Sequence, residues 1–227
     1  MRRKKSASVP PPVPFSPAAA RAHRAGLGLT PEQVAEGMAA HGVRLLPGHV
    51  LAWESGELRP NEPELIALAR ALWCPAAHLM DTRPVSLRDH RIACELGQAA
   101  VAERTGTTLA AYRQAELTGH WDGDEDQTLA LADVLHLSLP ELVEATGRGE
   151  ALDHLLRQCA AGRWQPQLRA LARIVPAPAD SLAAVLAALH QEHHVPTHWG
   201  ITARATPPPT LDTLTDRFWH LLAAETD

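Results

Sequence analysis

Apolar positions recur along this chain at the three- and four-residue spacing that lines one face of a helix, and no stretch sustains the alternation of a half-buried strand. The pattern predicts an all-α protein. Thr30 and Gln33 form a T-x-x-Q capping box with Pro31 at the first helical position, so a helix is expected from there to about Ala40, with Gly42 just past its end. Pro47 opens a short second helix that turns Val50 and Trp53 inward and is closed by Gly56. A third spans Glu62 to Leu72, where Leu65, Leu68, Ala69 and Leu72 fall at i, i+3, i+4 and i+7, and a last short helix lies near Ala76 to Met80.

The same order of elements then returns. LRDHRIACELGQAAVAERTGTTLAAYRQAELTG repeats helix, turn, helix, turn, helix and glycine, and TLALADVLHLSLPELVEA parallels ELIALARALWCPAAHLM. Two divergent copies of one five-helix module are therefore expected, at residues 17–82 and 83–148, ahead of a C-terminal helical region at 149–227. That region carries three apolar stripes: Leu152, Leu155, Leu156 and Cys159; Leu182, Val185, Leu186 and Leu189; and, after the linker ARATPPPT, Leu211, Leu214, Phe218, Leu221 and Leu222. The last stripe follows a Pro-rich joint and is the expected association surface, most simply of a homodimer. Residues 1–16, basic and then Pro-rich, read as a tail without a core of its own.

The net charge of the 227-residue chain is −5, but only residues 1–82 carry a positive balance, with nine Lys/Arg against seven Asp/Glu. That is the sign nucleic acid favours. Cys74, Cys94 and Cys159 are scattered and odd in number, which indicates neither a disulfide framework nor a cysteine zinc site and suits a reducing cytoplasm. The prolines after MRRKK take the place of the apolar stretch an export signal needs, and no run approaches the ~20 apolar residues of a membrane span. Lysine occurs only at Lys4 and Lys5 against nineteen arginines, a bias of G+C-rich bacterial genomes.

In LGQAAVAERTGTTLAAYRQAELTG the residues Gln98, Val101, Ala102, Gly106, Thr108, Tyr112 and Glu116 make the second copy resemble the lambda-repressor-like (xenobiotic-response-element) helix-turn-helix family. The first copy resembles it through Val34, Ala35, Val50, Trp53, Glu54 and Gly56, with about one extra turn before Gly42. The resemblance implies that the third helix of each copy lies in the major groove of double-stranded DNA, its N-terminal residues against base edges, with neighbouring loops on phosphates.

Tested residue by residue, the two copies differ. In the first, the base-facing positions hold Pro47, Gly48 and Ala52, which make no discriminating base contact, and only His49 is polar. Pro31 replaces the family's phosphate-binding Gln, while Arg44, Arg59 and Asn61 flank the helix where phosphates would pass. In the second, Gln98 holds the phosphate position and Thr108, Arg113 and Gln114 lie on or beside the reading face, where Arg addresses guanine and Gln adenine. The following loop HWDGDED sets Asp122, Asp124, Glu125 and Asp126 close to where the DNA backbone would run; these acids either cap a helix beginning near Thr128 or form a partner-binding patch. Arg2, Arg3, Lys4 and Lys5 form a basic arm suited to a minor groove.

His190, His193, His194 and His198 are the one metal-like cluster, but no Cys or carboxylate completes a ligand set and the solvated helix end is the simpler reading. No phosphate loop, nucleophile elbow or H-E-x-x-H is present, so no cofactor and no enzymatic activity are expected. The sequence thus points to a bacterial DNA-binding regulator with tandem helix-turn-helix modules. The alternative is a protein-binding adaptor on the same scaffold, its base readout lost.

Overall fold

A computed structural model describes residues 12–193 and 211–226, and every regular element among them is helical. The chain divides into two compact units, Met1–Ala100 and Val101–Asp227.

Unit one contains α1 (Pro17–Gly26), α2 (Pro31–Ala40), α3 (Pro47–Ser55), α4 (Glu62–Ala71), a 3-10 turn (Ala76–Leu79) and α5 (Leu87–Ala93). Proline sits in the first turn of each of α1 to α4, where its missing N–H costs nothing. Three reciprocal capping boxes start helices here: Thr30 with Gln33, Asn61 with Glu64, and Ser86 with Asp89. Gly56 closes α3 at φ +79°, a conformation that costs an L-residue ~1–2 kcal/mol.

The core of this unit gathers Val34 and Met38 of α2, Val50 and Trp53 of α3, Leu65 and Leu68 of α4, Leu79 and Ile92. Val13 and Phe15 belong to it as well, Phe15 at 0% exposure. Ser16 continues the docking, its N–H donating to the Leu79 carbonyl at 2.8 Å and its hydroxyl capping α1. The expectation that residues 1–16 contribute no core is corrected for this stretch: two apolar side chains between prolines are enough to dock it.

Ion pairs with a buried member stitch the helices. The Glu54 carboxylate, on the inner side of α3, accepts from Arg24 Nε at 2.6 Å and Nη2 at 2.8 Å, and Arg21 donates to the Glu54 carbonyl at 2.8 Å. This bidentate bond raises the Arg24 pKa further. Arg91, fully buried on α5, donates from Nη2 to Glu62 Oε2 at 3.0 Å, while its Nη1 bonds Glu62 Oε1. With Ile92 in the same core, this pair ties α5 to unit one, and the division between the two compact units falls inside the next helix.

That next helix, α6 (Gln98–Arg104), precedes α7 (Leu109–Thr118), α8 (Glu125–Val134), α9 (Leu139–Ala145), α10 (Gly149–Ala161), a 3-10 turn (Gln165–Gln167), α11 (Leu168–Ile174), α12 (Ala179–His193) and α13 (Leu211–Thr226). The sequence pattern did not anticipate α11, whose seven residues show barely two turns of periodicity. Tyr112 meets Trp121 edge-on, with ring centroids 6.4 Å apart, and Trp121 Nε1 donates to Thr128 Oγ1 at 2.9 Å. A second cluster joins Leu152, Leu155, Leu156 and Cys159 of α10 to Leu171, Val175 and Leu182, Val185, Leu186 and Leu189 of α12.

Leu214, Phe218 and Leu222 of α13 complete that cluster, and α13 lies against α10 and α12 of its own chain. Arg217 bonds Glu192 of α12 at 2.6 Å, and Thr215 donates to Asp153 of α10. The side chain of Leu211 lies outside the described residues, and Leu221 is half-buried against the same cluster. The stripe assigned to association is corrected at its described residues: Leu214, Phe218 and Leu222 are buried, and Leu221 half-buried, against helices of the same chain.

Several backbone devices occur twice, in the same order. Arg24 Nη1 donates to the Leu29 carbonyl at 2.9 Å and Arg91 Nη1 to the Leu96 carbonyl at 2.8 Å. Left-handed residues follow at Gly28, Gly42, Gly56 and Trp73, and again at Glu95, Gly106, Gly119 and His136. The caps Asn61 and Asp124 head the corresponding helices α4 and α8.

Candidate nucleic-acid interface

The outer face of α3 is set by which residues the core takes. With Val50, Trp53 and Glu54 turned inward, Gly48, Leu51 and Ser55 are left outside and Ala52 is half-buried. Among Gly48, Leu51, Ala52 and Ser55 only Ser55 carries a side-chain donor, and its hydroxyl donates to the Ala52 carbonyl at 3.0 Å. His49 is exposed, with Nδ1 3.3 Å from the Leu46 carbonyl. Leucines dominate the surroundings: Leu46 is 70% exposed, Leu51 52% and Leu58 48%. Sequence reasoning missed them; helical phase relative to Val50 and Trp53 marks Leu51 alone as outward-facing, since Leu46 and Leu58 lie outside α3.

Of the flanking residues, Arg44 is exposed, and Arg59 is exposed with Nη1 3.9 Å from Asp81 Oδ2. Asn61 is the cap of α4, its Oδ1 accepting from Glu64 N–H at 3.0 Å, which leaves only its amide NH2 to donate to a phosphate. At the start of α2, beside Pro31, a backbone hydrogen bond and the Thr30 side chain hold the Glu32 carboxyl below its usual range. A carboxylate there repels phosphate.

The outer face of α7 has different chemistry. Tyr112 and Ala115 are buried, so Ala110, Arg113, Gln114 and Leu117 form the exposed stripe at i, i+3, i+4 and i+7. Arg113 and Gln114 stand side by side on it. Thr108 is the cap of α7, its hydroxyl accepting from Ala111 N–H at 3.1 Å, and Thr118 donates to the Gln114 carbonyl at 2.9 Å. Gln98 is the first residue of α6 and half-buried.

The acidic loop is anchored by the buried Trp121, and its carboxylates are exposed. Asp124 caps α8 by accepting from Gln127 N–H at 2.9 Å, and its own N–H donates to Gln127 Oε1 at 3.1 Å. The helix accordingly begins at Glu125, three residues before the expected start; Thr128 is instead buried beneath Trp121, bonded back to the Asp124 carbonyl at 2.7 Å. Capping accounts for Asp124. Asp122 lies 3.3 Å from His120 Nε2, and Glu125 and Asp126 occupy the first turn.

The arm residues Arg2, Arg3, Lys4 and Lys5 lie outside the described residues, as do His194, His198 and the His193 side chain. Among the described residues no group of three potential ligands is placed to hold a metal, and no helix is long and apolar enough to cross a membrane. No protein-family model, curated protein or solved structure matches the chain.

Proposed function

We propose that this chain is a bacterial DNA-binding regulator, built of two divergent lambda-repressor-like modules at residues 17–82 and 83–148 with a C-terminal helical region behind them. The twice-occurring backbone devices support the two-module reading. The observation that carries the function is the exposed stripe of α7, which pairs Arg113 with Gln114 on a helix held firm by Tyr112 and Ala115. Those two side chains offer the bidentate patterns that distinguish guanine and adenine in a major groove. In this reading α7 reads bases, while Arg44, Arg59 and Gln98 hold phosphates, and the outer face of α3 contributes shape alone.

A gel shift with genomic fragments across a salt series tests it. Binding that selects a subset of fragments and weakens with salt supports the proposal, because released counterions make phosphate contacts salt-dependent. Absence of any shift at low salt overturns it and favours a second reading, a protein-binding adaptor. Leu46, Leu51 and Leu58 around α3 are the specific support for that reading, since exposed leucines suit a protein surface and not a phosphate backbone.

A further inference from the structure

A cavity of about 260 Å³ opens in unit two, with no part in the DNA-binding proposal. Asp124 and Glu125 at the start of α8 line one side, Arg148 ahead of α10 another, and Ala172, Arg173 and Pro176 around the end of α11 the rest.

Arg148 is half-buried, and burial lowers its pKa below the usual arginine value against a smaller opposing pull from Asp122. Its Nη1 donates to the Arg173 carbonyl at 3.2 Å, and no carboxylate of the described residues reaches ion-pairing distance. The well-buried arginines of unit one differ in this respect: Arg24 is clasped by Glu54 and Arg91 by Glu62. A guanidinium taken partly out of water without an anion is costly, and a ligand's anion would offset that cost.

The opposite charge lies across the cavity, in the first turn of α8. Glu125 is exposed and pairs with no cation of the described residues, and Asp124 has one oxygen committed to its cap. Arg148 and Glu125 line one cavity yet lie too far apart to pair with each other, so the cavity presents a cation and an anion at separate places. A dianion such as phosphate meets Asp122, Asp124 and Glu125 as repulsion.

We propose that this cavity binds a small zwitterion of the α-amino acid class, its carboxylate on Arg148, its ammonium group toward Glu125 and its side chain against Ala172 and Pro176. The volume falls below the ~300 Å³ at which sites for drug-sized ligands begin, which suits a single residue and not a peptide.

The test is calorimetry on the full chain without DNA, so its outcome is independent of the DNA-binding proposal. The probes are the twenty common L-amino acids singly, the amine and the desamino acid matching any that bind, and inorganic phosphate. The expected result is saturable binding of at least one amino acid, weakened at least tenfold by Arg148→Gln. Glu125→Gln, a surface change that leaves the fold alone, should weaken the amino acid but not its desamino analogue. Circular dichroism establishes that both variants are folded. No heat from any amino acid at millimolar concentration overturns the proposal, and so does phosphate binding more tightly than every amino acid. Binding unchanged by both substitutions overturns it as well.

Discussion

Replacing Phe218 with alanine tests whether α13 belongs to its own chain. The ring is 0% exposed and meets Trp219 edge-on at 4.9 Å between centroids, inside a cluster shared with α10 and α12. Truncating a buried Phe costs ~3–5 kcal/mol through lost transfer energy and the cavity left behind. Against the ~5–15 kcal/mol that holds a typical domain together, this is a large fraction, and it should lower the melting temperature of unit two by about 10 °C or more. Phe218→Asp should be worse, because it also leaves a charge without a partner in an apolar interior. Urea unfolding followed by circular dichroism gives the stability, and sedimentation gives the mass. In-chain docking predicts destabilised variants at every protein concentration, with a stability loss that does not depend on dissociation of subunits. A Phe218→Asp protein that melts like wild type while passing from dimer to monomer would refute the docking and restore α13 as an association surface.

Other positions give equally direct tests. Phe15→Ala should cost ~3–5 kcal/mol in thermal or urea unfolding of unit one, and an unchanged melt would show that residues 13–16 are not docked. Glu54→Ala should cost ~2–4 kcal/mol, somewhat below the ~3–5 of a fully buried pair since Arg24 keeps partial solvent access; a loss under ~1 kcal/mol would place the pair with ordinary surface bridges. Burial pushes the Cys159 thiol from 9.0 up to about 11. Because the folded value is the raised one, its contribution is present in full below the ordinary thiol range and is lost as pH rises from about 9 through about 11. Cys159→Ala should therefore flatten the decline of the urea midpoint across that window, and a decline of unchanged slope would contradict it.

Much of the helical framework was legible from short-range chemistry. The box at Thr30 and Gln33, the proline at position 47 and the left-handed glycine at position 56 act within one turn, and the helix limits they imply agree with α2 and α3 to within a residue. Burial of Leu65, Leu68, Ala69 and Leu72 follows from their common phase. What stayed hidden depends on contacts far apart in sequence. The stripe of α13 announces that Phe218 needs cover, but not that α10 and α12 supply it. Phe15 lies after a Pro-rich run that gives no periodicity, so its place in the core left no local signal. Arg91 looks like any charged helix residue until Glu62 is brought to it. The start of α8 was misplaced because four acids in a row of five residues hid which one is the cap.

The site was legible unevenly for the same reason. Which residues face outward on α7 follows from the inward phase of Tyr112, so Arg113 and Gln114 were identifiable from the sequence. At the caps, the Asn61 carboxamide oxygen accepts from Glu64 N–H and the Thr108 hydroxyl oxygen from Ala111 N–H, which leaves the Asn61 NH2 and the Thr108 O–H as donors. Arg148 and Arg173 carried no motif, because only tertiary folding brings the start of α10 and the end of α11 to the acidic loop.

The central claim, base reading by α7, is tested most directly by fluorescence anisotropy of wild type and Arg113→Ala on a DNA site selected by the wild type and on random duplex, at matched salt. Arg113→Ala should lose ~1–3 kcal/mol on the selected site and little on random DNA, collapsing the ratio between them. An equal loss on both would make Arg113 a phosphate contact, and a wild type that binds neither duplex at low salt would contradict DNA binding altogether.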